Sequence, residues 1–336
     1  MTRELTYRDA INEAIGQEMR RDPTVIVLGE DVAGGGGRKD QTMVDALGGP
    51  LGATKGLIKE FGPERVIDTP ISEAGFVGAA VGAALTGLRP IVEFSFISFV
   101  GVCLDQLSNQ ASKLHYMSGG QAKVPMTIRT TSGAGISAAA QHSDSVYSVL
   151  IHYPGLKVVL PATPHDVKGL MISAIRDDNP VVVVENKILY NDKGPVMEEP
   201  YAIPLGKGEI KRSGSDLTLV GFSRMVKFAL QAAELLAKDG IEAEVIDPRT
   251  AAPLDEETIL SSVKKTGRLV VVDEDTPRCG LARDVAALVA DQGFDYLDAA
   301  IKIVTPPNTP VPFSPVLEKF YLPDAERIAA VAKSIF

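Results

Sequence analysis

What constrains this chain most is a succession of short, largely apolar runs. Residues 25–28, 91–94, 124–130, 157–160 and 181–185 are rich in Val, Ile and Leu, and segments of helical periodicity lie between them. A strand that is apolar almost throughout has no wet face, so it needs cover on both sides. Such runs alternating with helices specify a parallel sheet with helices packed on each face. The first helix is the clearest. Ile11, Ala14, Ile15 and Met19 recur at helical spacing behind Thr6, which forms a capping-box variant with Asp9. Leu104, Leu107, Ala111 and Leu114 make one face of a second helix, and residues 165–176 form a third.

Over residues 190–215 the pattern dissolves into mixed Gly, Pro and charge, which suits a linker. The alternation then resumes. Strands are expected at 217–221, 241–246, 269–272 and 301–304, helices at 225–237, 255–264 and 282–291, and a closing helix at 323–335. The fold class is therefore α/β, with two domains split near residue 195. A length of 336 residues agrees, at about 150 residues per domain. The glycine run at 34–37 is expected to be a mobile loop.

The balance of 34 Lys and Arg against 43 Asp and Glu leaves a formal charge of -9. That excludes a general nucleic-acid binder, which needs a basic stripe to displace phosphate counterions. The longest apolar run, 75–88, is shorter than the roughly 20 residues of a membrane span. With two cysteines, Cys103 and Cys279, no disulfide framework is expected. The helical pattern starts near Thr6 with no leader before it, so the expectation is a cytoplasmic protein.

Four features could carry chemistry. Gly133-Ala-Gly-Ile-Ser-Ala138 matches the G-x-G-x-x-A turn of dinucleotide sites, yet the acidic residue expected about 20 positions on is missing. A glycine turn beside a site is the better reading. Glu73 opens a helix of small residues with glycines at 75, 78 and 82, a spacing that allows close packing. Its carboxylate could simply complement the helix dipole. In apolar surroundings it could also trade a proton with a ligand. His142, one of four histidines, lies between a glycine turn and polar residues, where an imidazole can move protons near neutral pH. No histidine pair has metal-ligand spacing. Cys103 and the aromatics Phe94, Phe96 and Phe99 read as core, whereas Cys279 starts a helix and is the more reactive candidate.

Together these segments resemble a known family. Gly29-Glu-Asp-Val32, Asp68-Thr-Pro-Ile-Ser-Glu-Ala-Gly-Phe76, Gly87-Leu-Arg-Pro90, Tyr116-Met-Ser-Gly-Gly120, Ala140-Gln-His-Ser143, Glu185-Asn-Lys-Ile-Leu-Tyr190 and Pro310-Val-Pro312 occur in order along the chain. They are similar to motifs of the beta subunit of the thiamine-diphosphate-dependent dehydrogenase component of 2-oxo acid dehydrogenase complexes. The resemblance implies a pyrimidine-binding domain over 1–190, a linker over 191–204 and a transketolase C-terminal-type domain over 205–336.

The same resemblance assigns roles. Glu73 matches the carboxylate that bonds N1′ of the cofactor's aminopyrimidine and so primes the neighbouring nitrogen to take the thiazolium C2 proton. Phe99 matches the aromatic stacked on that pyrimidine. His142 matches a histidine that steers protons as an acyl group passes to lipoyl sulfur. Met126, Ala174, Ile175, Asp177 and Asn179 match a potassium loop built mainly of backbone carbonyls, which suit a hard cation. The family's diphosphate-and-magnesium motif runs from Gly-Asp-Gly to Asn-Asn, and neither string occurs here. In the family that motif belongs to an alpha subunit, which implies a shared site in an α2β2 tetramer docked on a lipoyl acyltransferase core. Residues 96–106 and 275–279 look more like acetoin than pyruvate dehydrogenase beta subunits. Asp144, two places from His142, replaces the glutamine of relatives.

Overall fold

Residues 1–34 and 47–336 are described in the computed structural model, and they divide into two units. The first unit comprises Met1–Ser132, Val149–Val159 and Thr163–Leu205. The second comprises Gly133–Ser148, Leu160–Ala162 and Gly206–Phe336. Of the glycine run, all but Gly34 lies outside the described residues.

The chain opens with β1 (Thr2–Thr6), α1 (Tyr7–Arg21), β2 (Val25–Gly29), α2 (Leu57–Phe61), β3 (Val66–Asp68) and α3 (Glu73–Leu85). It continues through β4 (Arg89–Phe96), α4 (Val100–Asp105), α5 (Leu114–Met117), β5 (Thr127–Ser132), α6 (Ser148–Ile151) and β6 (Lys157–Val159). Then come α7 (Pro164–Arg176), β7 (Val181–Asn186) and β8 (Lys193–Met197). Within the first unit the strands run parallel in the order β6-β7-β5-β4-β2-β3. The expected cause holds: every residue of β2 and β7 is buried. Helix α1 starts where Thr6 Oγ1 accepts from Asp9 N at 3.0 Å. Its face of Tyr7, Ile11, Ile15 and Met19 shares a core with Val167, Leu170 and Met171 of α7. Gly169 of α7 lets the segment at Tyr201 and Ile203 pack against that helix, because a Cβ there would stand 2.5 Å from Ile203 Cγ1.

Two expectations need correction. Residues 104–114 do not form one helix: a π turn at Gln106–Ala111 separates α4 from α5. There Ser112 N donates to Leu107 O, five residues back, at 3.0 Å. The wider turn keeps Leu107 and Ala111 buried but leaves Leu104 and Leu114 half-buried. The three glycines of α3 also differ. Gly78 faces Gln106, but beside Gly82 there is open space, so only one face of this helix is buried. Segment 191–204 also contains β8, which pairs antiparallel with β1.

The strands carry one feature that an apolar reading conceals. Arg129 of β5 is buried and makes two bonds to Glu185 of β7, at 2.8 and 2.9 Å, and another to Glu93 of β4. Tyr190 donates to the same Glu185 carboxylate. Burial pushes Glu93 up, and the two carboxylates hold the guanidinium charged.

The second unit contains β9 (Glu209–Arg212), β10 (Leu217–Gly221), α8 (Met225–Ala237), β11 (Ala243–Asp247), β12 (Thr250–Ala252), α9 (Glu256–Thr266) and β13 (Leu269–Val272). It ends with α10 (Leu281–Gln292), β14 (Lys302–Val304), α11 (Pro315–Tyr321) and α12 (Ala325–Lys333). Its sheet has the order β14-β13-β10-β11-β9, parallel except for β9 at the edge. Leu217, Leu219, Val270 and Val272 form its core with α8 and α12. The caps are local: Asp255 and Asp324 accept from N–H groups three residues on, and Gly267 closes α9 with φ of 68°.

Replacing Arg129 with Met leaves two buried carboxylates facing each other without a cation. Urea unfolding at neutral pH should show a loss of about 3–5 kcal/mol.

Candidate functional site

Glu73 is the first residue of α3, just past the carboxyl end of β3. In open parallel sheets, ligands gather at that edge. The local chain is fixed there: Thr69 N donates to Gly29 O at 3.0 Å, and Ala33 N donates to Asp68 Oδ1 at 2.6 Å. Glu73 is 9% exposed. Among the described residues no hydrogen bond reaches its carboxylate, whereas the other buried carboxylates named here all accept one. Glu30, at the end of β2, is a second acidic group in this corner. Its carboxyl is pushed up by burial and then by the charges of Asp31 and Glu73. The sequence flagged Glu30 within a motif but gave it no role.

Phe99 ends a single 3-10 turn, Ile97–Phe99, that follows β4. It meets Phe96 edge-on, with ring centroids 5.9 Å apart. Phe94 is buried as expected, but Phe96 and Phe99 are only half-buried. Cys103 is buried, and its thiol is pushed up to about 12. Cys279 is exposed, with φ of 52°.

The proposed potassium residues lie at the end of α7 and at the start of β5 and β7. Here Arg89 Nη1 donates to Ile175 O at 3.1 Å and to Asp177 O at 2.9 Å. Met126 O accepts from Val181 N, and Ala174 O from Asp177 N. Asp177 Oδ1 takes Asn179 N, while its other oxygen takes Lys157. Each carbonyl keeps a second lone pair. Among the described residues, no group of three or more His, Cys, Asp and Glu is placed to hold a metal ion.

His142 belongs to the second unit, at the end of the turn Ala140–His142. A cavity of about 460 Å³ opens beside it, lined by Ala140, Gln141, Asp144, Thr276, Asn308 and Thr309. The segment 133–148 that carries it is held by four carboxylates. Ala134 N donates to Glu274 Oε1 at 2.7 Å. Gly135 N and Ser137 N donate to the two oxygens of Glu318, at 2.6 and 2.9 Å. Tyr147 donates to Asp273 and Ser148 to Asp275. This explains why the G-x-G-x-x-A turn is no dinucleotide site. The N–H groups that would cradle a phosphate already hold Glu318.

Comparisons with known proteins show the family. Residues 3–193 match the family "Transketolase, pyrimidine binding domain" and residues 206–328 match "Transketolase, C-terminal domain". The chain is 56% identical over 331 residues to the beta subunit of acetoin:2,6-dichlorophenolindophenol oxidoreductase of Bacillus subtilis, covering 98% of this chain and 97% of that one. It is equally identical, over 333 residues, to the corresponding Cupriavidus necator subunit, covering 99% and 98%. The pyruvate dehydrogenase E1 beta subunit of Rickettsia felis is 48% identical, covering 99% and 98%. The chain belongs to this family of thiamine-dependent beta subunits. A solved split-gene transketolase, an inactive beta4 tetramer, shares the fold, with a TM-score of 0.75 at 23% identity over 98% of each chain.

For this beta subunit, thiamine diphosphate is the expected cofactor, and Glu73 fits it on the structure's own terms. With no donor among the described residues, its carboxylate can accept a hydrogen bond from a bound ligand. Among the described residues, no helix is long and apolar enough to cross a membrane.

The acidic clamp generates a pH prediction. Burial, then the charge of Asp275, raises Asp273 to about 7, and burial raises Asp275 to about 6. The folded state thus holds protons that the unfolded chain releases near pH 4. Stability from these groups is present below about pH 4 and is lost as pH rises towards 7. Asp273→Asn should therefore raise the Tm relative to the parent more at pH 8 than at pH 4.5.

Proposed function

We propose that this chain is the beta half of an acetoin-cleaving, thiamine-diphosphate-dependent dehydrogenase that passes the acetyl unit to lipoamide. The observation that supports it is Glu73, buried at the carboxyl edge of the parallel sheet with no donor among the described residues. When bound, thiamine diphosphate supplies a carbon nucleophile and electron sink that a protein lacks. Glu73 would accept a hydrogen bond from N1′ of the pyrimidine and so hold the proton balance of that ring. Phe99 would cover the ring's face. The net reaction breaks a C–C bond of acetoin to give acetaldehyde. The remaining two-carbon unit is oxidised to acetyl as the lipoyl disulfide is reduced. One sulfur takes the acetyl group and the other a proton, and His142 would steer that proton.

An alpha subunit is the partner in this reading, holding the diphosphate and Mg2+ in an α2β2 tetramer that is active only when assembled. A lipoyl acyltransferase core would receive the acetyl group, and the compartment is the cytoplasm. Pyruvate, or another 2-oxo acid, is the second substrate reading, favoured by the 48% identity to the Rickettsia felis subunit. The potassium loop of Met126, Ala174, Ile175, Asp177 and Asn179 would use the second lone pairs of its carbonyls, beside the guanidinium of Arg89.

Two experiments test the reading. Glu73→Gln in the co-expressed alpha–beta complex should lower acetoin turnover by at least about a hundredfold with an unchanged Tm. Full activity of that variant contradicts the catalytic role, and faster turnover of pyruvate than acetoin in the parent complex selects the second substrate. If potassium is bound, replacing sodium with potassium chloride at equal ionic strength should raise the Tm. An unchanged Tm removes the ion from the proposal.

A further inference from the structure

The established features of the family do not account for Glu318. This carboxylate is 3% exposed, sits on α11 and faces a backbone segment 181 to 183 residues earlier in the chain. Both oxygens are used. Oε1 accepts from Gly135 N at 2.6 Å, and Oε2 accepts from Ser137 N at 2.9 Å and from Ser137 Oγ at 3.4 Å. Hydrogen bonds from backbone N–H to a carboxylate are about twice as strong as neutral ones, and a bidentate pair also fixes direction.

The segment it grips is one that would not hold its shape alone. Ser137 has φ of 55° and Ala139 has φ of 60°. Neither is glycine, and residues with a Cβ seldom adopt such angles unless their surroundings force them. Ala139 leads directly into the turn that ends in His142, where His142 N donates to Ala139 O at 3.4 Å. The upstream end is also pinned, because Ala134 N is held by Glu274 and Ala134 O by Arg224 at 2.9 Å. Glu318 therefore fixes the last two anchored N–H groups before the strained approach to His142. All of these groups belong to the second unit.

We infer that Glu318 is a positioning residue that sets the placement of His142 for proton transfer during acyl transfer to lipoamide. It touches no reacting atom and acts through the Gly135 and Ser137 backbone. The inference rests on the role proposed for His142. It adds that the C-terminal domain supplies the geometry of that histidine.

The test is a double-variant cycle in the co-expressed alpha–beta complex, with acetoin as substrate. Turnover is measured with lipoamide and, separately, with 2,6-dichlorophenolindophenol as electron acceptor. The informative quantity is the ratio of the two rates, since general loss of folded complex lowers both alike. Glu318→Ala should lower the ratio about ten- to a hundredfold, as a displaced catalytic group does. His142→Ala should lower it at least as far, and the double variant no further than His142→Ala alone, because both changes remove one function. Glu318→Gln keeps one acceptor and should fall between the parent and Glu318→Ala. It carries the test if the alanine variant fails to assemble. An unchanged ratio in the Glu318 variants, or losses that multiply in the double variant, overturns the positioning role. An unchanged ratio in His142→Ala overturns the role of His142 itself.

Discussion

A carboxylate removed from water must find a donor or a cation, and this acidic chain buries many. How each one is satisfied organises the molecule. Glu18 is paired with Arg21 and Arg176, and Glu93 and Glu185 share Arg129. Glu244 meets Ser262 and Lys265, and Asp255 caps α9. Glu274 and Glu318 take backbone N–H groups. Glu73 alone among these has no donor in the described residues. Its carboxylate is therefore open to a donor from a ligand, the role proposed for it.

The candidate residues are found in both units. The first presents Glu73, Phe99 and the neighbouring Glu30 at the carboxyl edge of its sheet. The second holds His142 on a loop fixed by acidic side chains from β13 onward. Sequence order and domain membership separate here, since Gly133–Ser148 lies in the first half of the chain but belongs to the second unit. The loop needs this support because its turns run through Ser137 and Ala139 at positive φ.

The sequence revealed what depends on neighbouring residues. Apolar runs gave the parallel strands, Thr6 and Asp9 gave the start of α1, and an ordered set of motifs gave the family. Glu73 and His142 stood out as candidates because those motifs are short and contiguous. What stayed hidden depends on distant partners. Arg129 and its two carboxylates sit in strands whose apolar neighbours mask them, and they meet only when β4, β5 and β7 align. Glu318 lies on a helix of seven residues, too short to show a period, and its partners are far upstream. The break in the helix over 104–114 followed from a π turn that leaves the same residues apolar in sequence.

The central claim is that this chain supplies only the pyrimidine side of a shared cofactor site. Calorimetric titration of thiamine diphosphate with Mg2+ into the beta subunit alone, and into the alpha–beta complex, tests it most directly. A shared site gives saturable binding by the complex and none by beta alone over the same concentration range. Tight, stoichiometric binding by isolated beta would contradict it.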